Sequence, residues 1–419
     1  MNEMNVDRRR FGAAVAGGLV APAVLAKKPN TQTLKVGLIG CGGRGTGAAY
    51  NALMADDNVV VTAMGDTFPE QIENSIAQLQ KKVPGRVKVA HRFTGLDAHH
   101  RVMDTDVDVV ILATPPAFRP DHLKAAVDAG KHSFVEITAA IDAPGVRSVL
   151  KSSEQAKQKG LTIVSGFCWR YDPALQAAQE QIRNGAIGEI RSLHATYLRP
   201  NLGPKYKGER TAKMSEVEWQ IHDWYHHLWL SGDLTILLSG GHSVDKMSWW
   251  MNDEMPINAV AIGGQQNPRW GNTFDNAFVT YEYASGIRGY LAARSVNGCY
   301  NENGDEVVGT KGIFRFQHRR PVITGETSWR YKGPTKSMYQ VEHDALIASI
   351  RNGRPINDGT RMARTTLMGV MGRMAAYTGK KITWEQAMNS QQKLLPEGLG
   401  LDSKAKNLPL AVPGRTKFT

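Results

Sequence analysis

The chain has 419 residues, 42% of them hydrophobic and 21% charged, which is the composition of a folded globular protein long enough for two domains. Its formal net charge is +12, but it has no Lys/Arg block with interleaved aromatic residues and no zinc-finger signature, so nucleic acid is not an expected partner. Three cysteines are too few for a disulfide framework, and without a Cys-x-x-Cys pair we expect no metal site.

Residues 1–26 have the pattern of an export signal. Arg8-Arg9-Arg10-Phe11 precedes a short run of Ala, Gly, Val and Leu, with a plausible cleavage site after Val24-Leu25-Ala26. The run is too short to cross a bilayer, so we expect no stable membrane anchor. The pattern predicts recognition by the twin-arginine export machinery, which carries folded proteins, and a periplasmic mature chain. A basic tail on a cytoplasmic protein is the alternative.

Residues 30–166 alternate between strand and helix patterns, beginning with an apolar strand at 34–39. This strand leads into a G-x-G-x-x-G turn and then a helix of small residues, a context typical of dinucleotide binding. Backbone N–H groups of such a turn approach a pyrophosphate at the helix N-terminus. The turn residues are Gly40, Gly42, Gly43, Arg44 and Gly45. A tight turn without a ligand, in another α/β protein, remains the alternative.

The next strand ends at Asp66, an acid 21 residues after Gly45. A carboxylate at this place accepts hydrogen bonds from ribose hydroxyls and repels a 2′-phosphate, so the predicted cofactor is NAD, with NADP less favoured. Arg44 leaves a second possibility open, because its side chain is also suited to a phosphate.

The remaining strands of this half place further residues at the predicted cofactor crevice. Thr114-Pro115 follows a central strand, His122 begins the next helix, and Glu136 ends the strand after it. The carboxyl ends of parallel strands face the ligand in such folds, although a histidine like His122 also serves as a cap or a packing group. The whole pattern predicts an α/β domain with a doubly wound parallel sheet, residues 30–166.

Beyond Phe167 the pattern changes to longer alternating strands, at 190–197, 257–264, 276–283 and 286–294. Helical segments follow, from 338 and from 360. We predict an α+β domain at 167–380 with a large open, mainly antiparallel sheet, helices on one face, and the other face available for substrate or a second subunit. Residues 381–419 form a C-terminal extension.

Several segments make the sequence resemble the glucose-fructose oxidoreductase, inositol dehydrogenase and rhizopine-catabolism family, Gfo/Idh/MocA. They are GLIGCGGRG, ILATPPAFRPDHL, AGKHSFVE followed by IDAPG, GFCWRYDP, GAIGEIRS, HSVDKMSWW, GTKG and IASIRNGRP. They run in order through residues 34–380, and the likeness is greatest to the exported branch with twin-arginine signals. The resemblance implies an NAD(P)-binding Rossmann domain, an open-sheet domain, a homo-oligomer, and hydride transfer at a carbohydrate or cyclitol hydroxyl.

The sequence departs from the family pattern at two proton-handling positions. The resemblance implies a lysine in a Glu-Lys-Pro motif at the end of the fifth strand, but Ile137 and Thr138 follow Glu136 here. The acid expected four residues before the catalytic histidine falls on Leu238, unless this segment carries a one-residue insertion. An ordinary dehydrogenase mechanism therefore lacks two of its groups.

His242 is the predicted base, because imidazole titrates near neutrality. Asp245 lies three residues later on the same helical face and is predicted to orient the ring. A histidine that merely caps its helix is the alternative. Tyr225 is a further catalytic candidate.

The residues predicted to line a sugar site carry aromatic faces and hydrogen-bonding tips. They are Trp169, Arg170, Tyr171, His226, His227 and Thr138. His222 and His226 have a spacing that could share a metal ion, but the rest of a ligand set is missing.

Three functional hypotheses follow. The first is an NAD-dependent dehydrogenase of a carbohydrate or cyclitol. The second is a glycosidase that keeps NAD bound and works by oxidation, elimination, hydration and reduction, which would suit both Ile137 and export. The third is a catalytically weak cofactor- or sugar-binding protein, because a fold does not establish an activity.

Overall fold

The computed structural model describes residues 32–203, 210–211, 213–267, 271–403 and 408–418. The predicted signal segment, residues 1–26, lies outside this range. Among the described residues, no helix combines the length and the apolar character that crossing a membrane requires.

The first domain is a six-stranded parallel sheet in the order β3-β2-β1-β4-β5-β6. This is the Rossmann strand order, and it confirms the predicted doubly wound sheet. The strands are β1 Leu34–Ile39, β2 Val59–Asp66, β3 Val87–Thr94, β4 Val109–Leu112, β5 His132–Val135 and β6 Ile163–Ser165. The helices between them are α1 Gly43–Ala55, α2 Pro69–Lys82, α3 Ala98–Met103, α4 Arg119–Asp128 and α5 Ala143–Gln158.

Strand β4 shows why its sequence is apolar without alternation. Val109 and Ile111 belong to one apolar cluster, whereas Val110 and Leu112 belong to another, and all four are fully buried. A parallel strand covered on both faces needs such a continuous apolar run. The strand ends that remain accessible are the carboxyl ends, where the predicted cofactor residues lie.

The second domain is built on a nine-stranded sheet in the order β14-β13-β12-β11-β7-β10-β9-β8-β15. Every neighbouring pair is antiparallel except β7 and β10, which confirms the predicted open, mainly antiparallel sheet. The strands are β7 Ile190–Arg199, β8 Asn258–Gly264, β9 Asn276–Glu282, β10 Arg288–Ser295, β11 Glu302–Gly309, β12 Gly312–Gln317, β13 Arg320–Gly325, β14 Trp329–Arg330 and β15 Ile382–Thr383.

Helices cover one face of this sheet, with α9 packed on β7 and α11 on β8. The helices of this half are α6 Pro173–Arg183, α7 Glu216–His222, α8 Leu228–Ser231, α9 Gly240–Trp250, α10 Met338–Arg351, α11 Gly359–Thr378 and α12 Trp384–Asn389. A short 3-10 helix, Cys168–Tyr171, follows the last strand of the first domain.

The segment after α12, residues 390–403, runs back over the first domain, and we call it the C-terminal strap. The Asp142 carboxylate, which also caps α5, accepts a hydrogen bond of 2.9 Å from the backbone N–H of Leu394. The Ser215 hydroxyl, at the start of α7, donates to the carbonyl of Leu401. The strap therefore ties α5 of the first domain to α7 of the second half.

Candidate active site

The glycine-rich turn between β1 and α1 is shaped for close approach of a ligand. Gly40 has a φ of +91°, and a Cβ there would lie 2.6 Å from the backbone of Ala113. A Cβ on Gly45 would collide with the carbonyl of Gly40. A Cβ on Gly42 or Gly43 would meet nothing within 4 Å. Open space thus lies above the N-terminus of α1, where a pyrophosphate binds in this fold.

Asp66 ends β2 beside this turn. Its carboxylate accepts hydrogen bonds from the backbone N–H groups of Cys41, at 2.6 Å, and Phe68, at 3.0 Å. Burial raises the pKa of Asp66 above its usual value. An ionised carboxylate has about four acceptor positions, so these two bonds leave room for ribose hydroxyls.

The Arg44 guanidinium is engaged by acids within the protein. Its guanidinium bonds to Glu136 and, at 2.9 Å, to Glu342 of α10, and it lies 4.7 Å from the centre of the Tyr339 ring. Burial lowers the pKa of Arg44, but the carboxylates of Glu136 and Glu342 together raise it by more. The alternative that Arg44 accommodates a phosphate is therefore not supported, and this arginine instead joins the cofactor turn to the end of β5.

A cavity of about 340 Å³ runs along the carboxyl ends of the first-domain strands. One wall contains nine of the residues predicted to bind the cofactor: Gly40, Gly42, Gly43, Arg44, Gly45, Asp66, Thr114, Pro115 and His122. The opposite wall contains Ile221, His222, Trp224 and Tyr225, from α7 and the turn that follows it. The rings of Phe68 and His222, which line this cavity near Asp66, stack with centroids 3.7 Å apart.

His122 and Tyr225 both lie in this cavity. The Nδ1 atom of His122 is 3.1 Å from the Thr114 hydroxyl, and its ring stacks on His99 with centroids 4.1 Å apart. Burial holds the pKa of His122 well below its usual value, so the ring is neutral. Tyr225, predicted to be catalytic, lines the part of the cleft that the cofactor residues define.

His242 lies in the first turn of α9. A Cβ on its neighbour Gly241 would be 3.3 Å from Thr138, so the start of α9 abuts the end of β5. The ring lies nearly parallel to Tyr197 and edge-on to Phe167, each with centroids 6.3 Å away. Its Nδ1 atom is buried and has no hydrogen-bond partner among the described residues.

The environment of His242 keeps its ring neutral. Burial first, and then the positive charges of Lys246, Arg44 and Arg199, lower the pKa of His242 to about 3. A neutral imidazole is able to accept a proton, but a pKa this far below the working pH makes His242 a weaker base than a free histidine.

The helix before His242 is irregular. Leu234–Ser239 form a π-helix that leads directly into α9, and a π turn accommodates one inserted residue. Counted four residues back from His242, the family's acid falls on Leu238; with a one-residue insertion it falls on Leu237. Both are buried apolar side chains. No carboxylate therefore replaces the family's acid at this place.

The prediction that Asp245 orients His242 is wrong. The Asp245 carboxylate accepts two hydrogen bonds from Nε of Arg170, at 2.9 and 3.0 Å, in a buried ion pair. Arg170 also donates to Ser248 at 2.9 Å and to Asp253 at 2.7 Å. Nε and Nη2 of Arg170 are therefore engaged within the protein, which gives Arg170 a structural role.

Three other predicted substrate residues are also occupied within the protein. Thr138 is fully buried, follows a cis peptide bond after Ile137, and donates its hydroxyl to the carbonyl of Ala140 at 3.1 Å. The Tyr171 hydroxyl donates to Asp358 at 2.8 Å. Trp169 packs edge-on against Phe316. The sequence placed them correctly near strand ends, but their side chains face the core.

The paired histidines after α7 are buried as well. Nδ1 of His226 lies 3.1 Å from the Asp223 carboxylate. Burial lowers the pKa of His227 to about 4. Among the described residues, no group of three or more His, Cys, Asp or Glu side chains is arranged to hold a metal ion, so the spacing of His222 and His226 finds no third ligand there.

The sequence did not reveal a group of side chains on the sheet beside His242. Tyr197 and Arg199 of β7 lie on the same sheet face as Asn303 of β11, which pairs with Tyr197. Lys246, one turn after His242, forms a buried ion pair of 2.7 Å with Asp305. The period-two pattern of β7 would have placed Tyr197 and Arg199 together, but not opposite His242.

The fold and the glycine turn define an oxidoreductase with an NAD-binding Rossmann domain. Residues 34–166 match the family model described as "Oxidoreductase family, NAD-binding Rossmann fold", and residues 175–315 match the GFO/IDH/MocA C-terminal domain. The chain belongs to the Gfo/Idh/MocA family, as the sequence resemblance predicted.

Relatives include proteins with two kinds of activity. The chain is 26% identical over 331 residues to an inositol 2-dehydrogenase of Pseudomonas fluorescens, covering 77% of this chain and 88% of that one. It is 30% identical over 353 residues to a glycosyl hydrolase family 109 protein of Solibacter usitatus, covering 77% and 76%. Among solved structures, a levoglucosan dehydrogenase in complex with NADH and levoglucosan has the same fold, with a TM-score of 0.68 at 18% identity over 84% of this chain and 99% of that one.

Proposed function

We propose that this protein is an NAD-dependent oxidoreductase that oxidises a hydroxyl group of a carbohydrate or cyclitol. The observation that carries the proposal is His242, a neutral imidazole with an unpartnered Nδ1, placed where α9 meets the end of β5. That strand end borders the same crevice as the glycine turn, because all the parallel strands of the Rossmann sheet end at one edge. The dehydrogenase relatives support the substrate class.

The chain's own residues divide the work. The backbone N–H groups of the glycine turn bind a pyrophosphate, and Asp66 accepts hydrogen bonds from ribose hydroxyls. Bound NAD supplies the hydride acceptor. His242 takes the proton of the substrate hydroxyl on its imidazole ring, which is held between Tyr197 and Phe167.

A second candidate function is a glycosidase that retains NAD and shows no net redox change. Ile137 and Leu238 support it, because two proton-handling groups of an ordinary dehydrogenase are absent. The glycosyl hydrolase relative supports it as well.

One pair of assays separates these functions. Purified protein is mixed with NAD and a panel of polyols and aldoses, and formation of NADH is followed by absorbance; in parallel, aryl glycosides are tested for hydrolysis without added NAD. We expect NADH to accumulate in the first assay. Hydrolysis without NADH would establish the glycosidase instead, and activity in neither assay would leave a binding protein.

We also propose that the chain is exported by the twin-arginine route to the periplasm and forms a homo-oligomer. Arg8 and Arg9 support export, and substituting both with lysine should retain the protein in the cytoplasmic fraction. The exposed apolar side chains Val260, Ile262 and Phe278, on the uncovered sheet face, support self-association. Ile262→Asp should therefore lower the mass measured by light scattering, and an unchanged mass would exclude this face as the interface.

A further inference from the structure

The end of β7 lies beside His242. Tyr197 and Arg199 are two residues apart on this strand, so their side chains lie on the same face. The Tyr197 ring lies nearly parallel to that of His242, and Asn303 of the neighbouring strand lies directly across from Tyr197. Arg199 therefore lies on the sheet face that Tyr197 presents to the proposed base.

Arg199 carries a charge that the described protein does not neutralise. Its Nε donates to the carbonyl of Pro200 at 3.3 Å, and no carboxylate of the described residues lies within 4.0 Å of its guanidinium. The other two cations that act on His242 are both paired. Lys246 bonds to Asp305, and Arg44 bonds to Glu136 and Glu342.

The charge of Arg199 acts on the proposed base, His242. The side chain is half-buried, and its charge helps to lower the pKa of His242. A confined cation that weakens the base is unfavourable until an anion offsets it. A ligand anion at Arg199 would remove one of the three charges that oppose protonation of His242.

We propose that Arg199 forms a subsite for a carboxylate group of the substrate, so that the protein acts on sugar acids, such as uronic or aldonic acids, in preference to neutral sugars. This inference rests on the proposed function and narrows its substrate class. The planar guanidinium matches a carboxylate through two parallel hydrogen bonds. Asn303, on the same face, accepts a hydrogen bond from Nζ of Lys246 at 3.3 Å through its Oδ1 atom, which leaves its NH2 group to donate to a hydroxyl of the same sugar.

The test compares matched pairs of neutral and acidic sugars: glucose with glucuronate, and galactose with galacturonate. We expect the wild-type protein to have the higher kcat/KM for the acid of each pair. Arg199→Gln should lower kcat/KM for the acids by about 10- to 100-fold, the usual range for losing a charge-assisted hydrogen bond. The loss should lie mainly in KM, the neutral sugars should change by less than about threefold, and Arg199→Lys should recover part of the loss.

Arg191→Gln is the control, because Arg191 is an exposed arginine on the same strand and is already paired with Glu189 at 3.0 Å. It should leave both members of each pair unchanged. If wild-type protein uses glucose as well as glucuronate, or if Arg199→Gln lowers both equally, the subsite does not exist while the oxidoreductase function stands.

Calorimetry with glucuronate on the NADH-loaded protein separates this inference from the proposed function. Binding by wild-type protein that Arg199→Gln abolishes would support the subsite even if no sugar were oxidised. Absence of binding to wild-type protein, with neutral sugars oxidised normally, would overturn it.

Discussion

His242 is the residue on which the chemistry depends. His242→Ala removes the unpartnered imidazole next to Tyr197, and we expect kcat to fall on the order of 100-fold, the usual contribution of a general base. His194→Ala is the matched control, since His194 lies exposed on β7 and its loss should leave kcat unchanged. Steady-state kinetics with NAD and a sugar that the wild-type protein oxidises measures kcat for both variants. An unaltered kcat in the His242 variant would remove it from the mechanism.

The ion pair of Arg170 and Asp245 should contribute to stability and not to proton transfer. Asp245→Asn leaves a buried arginine without its main partner and should lower the free energy of unfolding by about 3 kcal/mol. Asp253, the second partner, is 38% exposed, so Asp253→Asn should cost less than about 1 kcal/mol. Urea denaturation measures the two variants. Equal losses would show that burial does not distinguish these contacts.

His242 and Asp245 show how much the sequence alone predicts about individual residues. The family resemblance pointed to His242 as the base, which stays a prediction, and the three-residue interval to Asp245 suggested a partner on the same helical face. Arg170 lies 75 positions from Asp245, so its competing and stronger bond cannot be inferred from local spacing. Long-range contacts of this kind also placed Thr138 and Tyr171 in the core.

Among the elements, α7 and the C-terminal strap have the clearest consequence for the cofactor. Leu395, Leu399 and Leu401 of the strap pack in the same apolar cluster as Phe68 and Ile221. The strap thus packs against Phe68 and α7, which line the cavity.

Shortening a strap side chain should loosen this packing. Leu395→Ala is expected to raise the Kd for NAD about threefold to tenfold, corresponding to about 1 kcal/mol of lost packing against the cavity wall. Quenching of tryptophan fluorescence on titration with NAD measures it. Leu410→Ala, at a side chain that is 38% exposed, should leave the Kd unaltered. A Leu395→Ala protein with normal NAD affinity would show that the strap does not act on the cofactor.

The π-helix before α9 illustrates what element patterns do and do not reveal. Alternation of strand and helix patterns predicted the Rossmann sheet, and period-two strands predicted the open sheet, because burial imposes these periods on the sequence. A one-residue insertion would leave the apolar pattern of Leu234–Ser239 intact, so the sequence pattern could not show whether this segment contains one. The strap has no periodicity, and its path depends on contacts with distant elements.

At the scale of the whole molecule, buried neutral histidines should make the fold sensitive to acid. Burial lowers the pKa of His343 to about 3 and that of His99 to about 4. Because these folded-state values lie below the unfolded value of about 6.5, the unfolded chain binds more protons, and stability falls as the pH drops from about 6.5 towards 3.

Denaturant titration from pH 7.5 to 4.5 tests this dependence. His343→Gln should lose less stability over this range than wild-type protein, by about 1.4 kcal/mol for each pH unit below 6.5. Comparison of each protein with its own value at pH 7.5 controls for the packing change. Parallel loss in both proteins would contradict the assignment of a neutral His343.

Overall charge illustrates the limit of composition. The net charge of +12 left open where the cations lie, whereas the fold pairs Arg44 and Lys246 with acids, and Arg199 has no carboxylate within 4.0 Å among the described residues. Where two domains meet at one cleft, the sign of the local charge depends on which pairs form, and pairing is a property of the tertiary structure.

The central claim is hydride transfer to NAD from a substrate carbon, with His242 as the base. It is tested most directly with a saccharide that carries deuterium on the oxidised carbon, in a single turnover with purified protein and NAD. We expect deuterium to appear in the reduced nicotinamide in equal amount to oxidised product, and His242→Ala to suppress its appearance. Oxidised sugar formed with no deuterium in the reduced nicotinamide cofactor would contradict the account.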